Sequence, residues 1–299
     1  MTVNDGTIIW KRDWGLTTRI ILTWSLLLLL YLSFIGVLMY FGVNANFIFL
    51  IIFAMTFVQY FFSDKLVLRT TKTKIVDESE APELHHMIER ICADAEIPKP
   101  RIGIMPSPMA NAFATGRSPK HAVVAVTDTI TRVLNKDELE AVLAHEIAHI
   151  KNRDILTMTI ASFIAMVASV IVRSFLFGSL TKNGKGGGPL ILIGIVGVVV
   201  WVISTLLMFA LSRYREYAAD RGSAYLTHNP NALISALRKI SNTMNNVPLQ
   251  KRQEVESANA FYIIPAISGK SIMNLFATHP PLEKRIANLE KVLAEQRGY

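Results

Sequence analysis

The segment His145-Glu146-Ile147-Ala148-His149 combines the residue types and the spacing that most directly imply chemistry. On a helix, residues four apart lie about one turn apart on one face, so both imidazoles reach a single zinc ion. Glu146 stands beside them, placed to act on a water at the metal rather than to ligate it. The surrounding stretch, Lys136–Lys151, is helical in composition and mostly apolar through Ala141, Val142, Leu143, Ala144, Ile147, Ala148 and Ile150. Burying two histidines and a glutamate on such a helix needs a compensating reason, and zinc is the best one. A catalytic zinc takes three protein ligands and keeps one position open. The third ligand does not follow from this motif alone. Asp154 lies five residues beyond His149, and a second acidic pair, Glu216 and Asp220, shares one helical face at i, i+4. The expected division is Glu216 as ligand and Asp220 as acceptor for a histidine ring N–H. An ordinary salt-bridged helix end is the competing reading of that pair.

The elements that must position these residues follow from where the apolar residues cluster. Of 299 residues, 51% are hydrophobic and 18% charged, with a mean hydropathy of +0.35. Soluble domains average about 25% charged residues. The excess falls into four runs, 20–43, 47–62, 155–178 and 189–211, interrupted only by Arg173. A bilayer core of ~30 Å takes about 20 helical residues, so three runs qualify directly. The shorter run 47–62 spans if the bilayer thins or flanking residues are drawn in. The net charge is +8, and basic residues flank the runs: Lys11, Arg12 and Arg19 before the first, Lys65, Arg69, Lys72 and Lys74 after the second, Arg213, Arg215 and Arg221 after the fourth. The positive-inside rule puts both termini and both long polar segments in the cytoplasm, at the plasma membrane. The third and fourth spans then form a hairpin that returns Glu216 to the membrane face carrying the histidines.

The expected architecture is an α+β membrane protein with four transmembrane helices and a cytoplasmic, mainly helical catalytic domain carrying a small β-sheet. Residues 1–62 form an amino-terminal anchor of two spans, 63–154 a catalytic part with the sheet and the HExxH helix, 155–211 a transmembrane hairpin, and 212–299 a catalytic part with the third ligand. Pro82–Ala95 reads as an amphipathic helix through Leu84, Met87, Ile88 and Ile91. Arg101–Met105, Asn111–Thr115 and Ala122–Thr127 read as short strands. Asn229-Pro230 starts a helix, and Leu282–Leu293 forms the last one. The lone Cys92 excludes an intramolecular disulfide and a thiolate metal cluster. Nucleic acid is excluded as a partner, because the basic residues sit at membrane flanks without interleaved aromatics.

The run from Asp137 to His149, followed by Arg213-x-x-Glu216-x-x-Ala219-Asp220, resembles the HtpX-type membrane zinc metalloproteases, relatives of the CAAX prenyl protease. Asn111-Ala112-Phe113-Ala114-Thr115-Gly116 resembles that family's substrate-strand motif, and Thr278-His279-Pro280-Pro281 its late His-Pro motif. The four motifs occur in the family's order along the whole chain. The resemblance implies a gluzincin-like catalytic domain with one zinc per chain on His145, His149 and Glu216, Glu146 as catalytic base and Asp220 behind a ligand. It implies proteolysis of misfolded or damaged membrane proteins, a stress-response and quality-control activity. It also implies that Asn111, Ala112, Phe113 and Ala114 bind extended substrate as an edge strand, where backbone hydrogen bonds give affinity with little sequence demand. His279 is the implied donor to the developing oxyanion, a role equally open to Arg213, Arg215 or Tyr217. The expected partners are the lipid bilayer and unfolded or membrane-protein substrates. A site-specific or prenyl-directed processing protease is the alternative, and a non-proteolytic membrane zinc protein a further one.

Overall fold

A computed structural model describes residues 13–42, 44–162, 169, 187–245 and 280–297. The chain divides into two compact units that interleave in sequence. One draws on Ser63–Ile155 and Arg213–Tyr299, the other on Trp14–Phe62 and Leu156–Ser212.

The second of these units is built of helices: α1 (Trp14–Tyr40), the first part of α2 (Ala45–Thr70), α6 (154–162) from Leu156 onward and the first part of α7 (Gly187–Thr227). Among the described residues, Trp14–Tyr40 and Leu192–Thr227 are long and apolar enough to cross a membrane, and only 22% and 28% of their most apolar windows are buried. Leu28, Leu29, Leu32, Ile195 and Val199 face outward. Helices apolar on every side and yet so little buried fit lipid as their surroundings. Inside the unit, Leu27, Tyr31, Ala161 and Leu211 pack together, as do Phe34, Leu38, Ile193 and Val200. The Tyr31 hydroxyl donates to the Ala161 carbonyl at 3.4 Å, meeting the need of a polar group in apolar surroundings for a partner. The run 47–62 lies within α2. Most of 155–178, including Arg173, lies outside the described residues.

The other unit holds a four-stranded sheet, β1 (Lys74–Val76), β2 (Arg101–Met105), β3 (Ala112–Thr115) and β4 (Val123–Thr127), in the order β1-β2-β4-β3. The pair β2/β4 is parallel, and β1/β2 and β3/β4 are antiparallel. Every residue of β4 is buried, as expected of a β-branched central strand. Strand β3 is at the edge, with Ala112 opposite Val126 and Phe113 opposite Ala125. After β3 the chain turns at Gly116, whose φ of +127° and close approach to the His121 carbonyl, 2.4 Å from any Cβ placed there, suit glycine alone.

Helix α3 (Pro82–Asp94) starts at a proline and buries Leu84, Met87, Ile88, Ile91 and Cys92 at helical spacing. Burial pushes the Cys92 thiol up to about 12, which leaves it an inert core residue. A short helix α4 (Ile130–Val133) leads into α5 (Lys136–Lys151), which is buried along nearly its whole length. A capping box starts α5: Glu138 N–H donates to Asn135 Oδ1, and Asn135 N–H to Glu138 Oε2, both at 2.9 Å. Glu138 also accepts from Ser235 Oγ and Lys239 Nζ of α8 (Pro230–Asn245), each at 2.7 Å. The last helix, α9 (Leu282–Arg297), buries Leu289 and Val292 in the same core.

The cap places α5 and thereby the residues on it. Asn135→Ala is expected to lower stability by about 1 kcal/mol. Glu138→Ala is expected to cost more, since it also strands Lys239 and Ser235. Thermal unfolding in detergent, followed by near-ultraviolet circular dichroism, checks both the sign and the order.

Candidate metal centre

Helix α5 carries His145 and His149 one turn apart, with ring centroids 4.7 Å apart and the rings edge to face. His145 is 1% exposed, and His149 sits closer to the surface. Their Nε2 atoms are 3.2 Å apart. Glu216, from the later part of α7, directs its carboxylate at both: Oε1 lies 3.4 Å from His149 Nε2 and Oε2 3.6 Å from His145 Nε2. One donor atom from each residue falls within 4.8 Å of the other two, so the three could hold one metal ion.

Behind each imidazole stands a carboxylate. His145 Nδ1 faces Asp220 Oδ1 at 3.1 Å, and His149 Nδ1 faces Asp154 Oδ2 at 2.6 Å. With both Nδ1 atoms turned to carboxylates, the neutral rings place their Nε2 lone pairs toward each other, and only a cation between them makes that favourable. A tetrahedral zinc with Zn–N near 2.0–2.1 Å separates its ligand atoms by ~3.3–3.4 Å, close to what these three residues already present. The charge balance agrees. The enclosed carboxyls of Glu146, Asp154, Glu216 and Asp220 outnumber the guanidiniums of Arg215 and Arg285 by two, the charge of a divalent ion. The residues present fit the metal.

The proton balance carries the same message. Burial opposes charge on His149, but hydrogen bonds to Asp154 and Glu216 outweigh it and raise the imidazole to about 10. His145 is also raised, burial being outweighed by Asp220 and Glu216. Burial pushes the Asp154 carboxyl up, yet the charge of Arg215 and the bond to His149 hold it below its ordinary range. Without a metal, protons are the cations that this cluster takes.

Glu146 is buried on α5, within electrostatic reach of Arg285. Asn111 directly precedes β3; Ala112 and Phe113 are buried and Ala114 partly so. Strand β3 packs against α5, and Phe113 shares a small core with Val67, Met105 and Ala125. The structure thus gathers His145, His149, Glu216 and Asp220 and sets 111–114 at the sheet edge. Thr278 and His279 lie outside the described residues. Arg215, a candidate oxyanion donor by sequence, instead pairs with Asp154, Nε to Oδ1 at 3.0 Å. Sequence reasoning named Asp154 only among the acidic candidates for the third ligand, and it overlooked Arg285, which lies against Asp220.

A buried HExxH helix completed by a glutamate from a later helix, in a chain with membrane-length helices, defines a membrane metalloprotease. The family model described as "Peptidase family M48" matches residues 78–293. The chain belongs to that family. It is 53% identical over 288 residues to "Protease HtpX homolog 2" of Methanosarcina acetivorans, covering 96% of this chain and 98% of the relative. It is 50% identical over 287 residues to "Protease HtpX homolog" of Moorella thermoacetica, covering 95% and 96%. Among solved structures, the fold is similar to S. mikatae Ste24p, with a TM-score of 0.56 at 20% identity. That likeness covers 87% of this chain and 62% of the other, less than two thirds of its length.

Because protons occupy the metal-free cluster, a metal must displace them, and affinity falls as pH falls. An isolated imidazole titrates near ~6.5. Here the raised His149 keeps competition active well above that. Zinc affinity, measured by competition with a fluorescent chelator, is expected to keep rising between pH 7 and pH 9, about tenfold per unit for each proton displaced. A plateau from pH 7 upward contradicts this.

Proposed function

We propose that the chain is a zinc-dependent endopeptidase of the cytoplasmic membrane face, acting on misfolded or damaged membrane proteins. The carrying observation is the donor set of His145, His149 and Glu216 with buried Glu146 on the same helix. Those three residues would hold one zinc ion. When bound, it supplies a Lewis acid beside the scissile carbonyl.

The chain's own groups do the rest. Glu146 takes a proton from the attacking water and passes it to the leaving amine, the usual double duty of a general base in peptide hydrolysis. Asp220 and Asp154 hold the two imidazoles in the tautomer that leaves Nε2 free to ligate. Extended substrate adds as a strand along Asn111–Ala114, which suits an enzyme that accepts many unfolded sequences. His279 donates to the developing oxyanion.

The apolar runs 20–43, 47–62, 155–178 and 189–211 form four spans in the plasma membrane. The basic residues beside them favour both termini and the catalytic unit on the cytoplasmic side. Substrates anchored in the same bilayer then meet the site by lateral diffusion.

The test uses full-length protein purified in detergent. One zinc per chain and chelator-sensitive cleavage of casein are expected. Glu146→Gln should keep the zinc and lose about 10²–10⁴ in kcat, the range of general base catalysis. His145→Ala and Glu216→Ala should lose the zinc itself. Cleavage by Glu146→Gln at the parental rate sinks the reading. Cleavage of a prenylated peptide with casein left intact points instead to a processing enzyme.

A further inference from the structure

Arg285 heads the fully buried side chains of the described residues by volume, at 1% exposure, and peptide hydrolysis as derived above makes no use of it. Its guanidinium grips Asp220 with two bonds, Nε to Oδ2 at 2.9 Å and Nη2 to Oδ1 at 2.5 Å. Its Nη1 lies 3.5 Å from Glu216 Oε2. The Oδ1 that it holds is the atom facing His145 Nδ1. On the other histidine an arginine also stands behind the aspartate, through a single ion-pair contact: Arg215 Nε lies 3.0 Å from Asp154 Oδ1, while Asp154 Oδ2 takes His149 Nδ1.

We infer that Arg285 and Arg215 are positioning residues, each fixing one metal-ligating histidine through an intervening aspartate. An aspartate turns easily about its terminal torsion, so a single contact to an imidazole does not hold the ring. The two-point grip of Arg285 does, because the fork matches the carboxylate plane, and the charge of Arg215 favours one orientation of Asp154 at the other histidine. A buried ion pair is a poor means of stabilising a fold, since apolar side chains of similar volume often do better. Burial of a whole arginine for Asp220 is explained by orientation.

The brace also gives α9 a task. Arg221 binds Glu295 at 2.7 Å, and Gln296 Nε2 donates to the Ala224 carbonyl at 3.0 Å. These contacts seat α9 along the part of α7 that carries Asp220, and so seat Arg285. The last helix is thereby part of the metal centre.

This inference rests on the zinc peptidase reading, and the experiment separates the two. Zinc stoichiometry of the parent protein tests that reading. The brace is tested by the rate at which zinc passes from full-length folded protein to a chelator, with the visible spectrum of the cobalt-substituted form as a measure of ligand geometry. Loss of such outer partners typically costs ~10–100-fold in metal affinity. Arg285→Met is expected to speed zinc release by about tenfold or more and to alter the cobalt spectrum, with Arg285→Lys intermediate. The double variant Asp220→Asn/Arg285→Met should release zinc little faster than Asp220→Asn alone, because the arginine's two hydrogen bonds are both to the aspartate and its approach to Glu216 is a single, longer contact. If Arg285→Met does not fold, Arg215→Met and Asp154→Asn/Arg215→Met carry the same test at the less buried brace. Unchanged release from folded arginine variants, or effects that multiply in the double variants, overturns the inference.

Discussion

Charged groups taken out of water cost several kcal/mol each unless they are paired and hydrogen-bonded. This unit encloses Glu146, Asp154, Glu216, Asp220 and Arg285 in one cluster with two imidazoles. That constraint orders much of what surrounds it. Each carboxylate behind a histidine must face an imidazole on one side and a guanidinium on the other, and the elements supplying those partners come from distant stretches of chain. Helix α5 supplies the histidines, the part of α7 beyond Leu211 supplies Glu216, Asp220 and Arg215, and α9 supplies Arg285. With Arg215 counted beside Arg285, the cluster remains two charges short of neutrality until a divalent ion or protons enter. The metal is thus the missing counter-charge as well as the catalyst.

What the sequence made legible, and what it did not, follows from the range of each interaction. His145 and His149 share a face by the helical period, and Glu216 and Asp220 do so by the same rule, so both halves of the donor set could be read locally. The strands also stood out, because Val123–Thr127 is β-branched and apolar while Gly and Pro punctuate its neighbours. Asp154 was harder. Five residues is not a helical spacing, and the contact exists because α5 stops: Asn152 caps it and Arg153 takes a left-handed φ of 55°, which turns the chain so that Asp154 meets His149. Nothing in the composition announces a non-glycine residue in that conformation.

Arg285 was hidden for a different reason. It follows Asp220 by 65 residues and stands in the amphipathic pattern Leu282–Leu293 among Glu283, Lys284 and Glu290, where a cation reads as solvent-facing. Only the docking of α9 reveals that its position points inward. A cation in a core is legible from sequence only when its acidic partner lies within a turn or two, and here the partner lies on another helix.

The precision of the site depends finally on how closely α5 and α7 approach. Ligand atoms must fall within about 0.2 Å of their ideal distances for a metal to bind well. Small residues are buried on both helices. Ala141, Ala144 and Ala148 on α5 and Ala219, Ser223 and Ala224 on α7 are buried. Ser223 Oγ donates directly to the Ala141 carbonyl at 2.6 Å, an approach that a larger side chain would block. Glu216, Asp220 and Ser223 recur at helical spacing along α7, so one register serves the ligand, the brace and the backbone clamp together. Shifting that register would move all three at once, which is why a short glutamate side chain can meet two imidazoles at a common point without a flexible loop to deliver it.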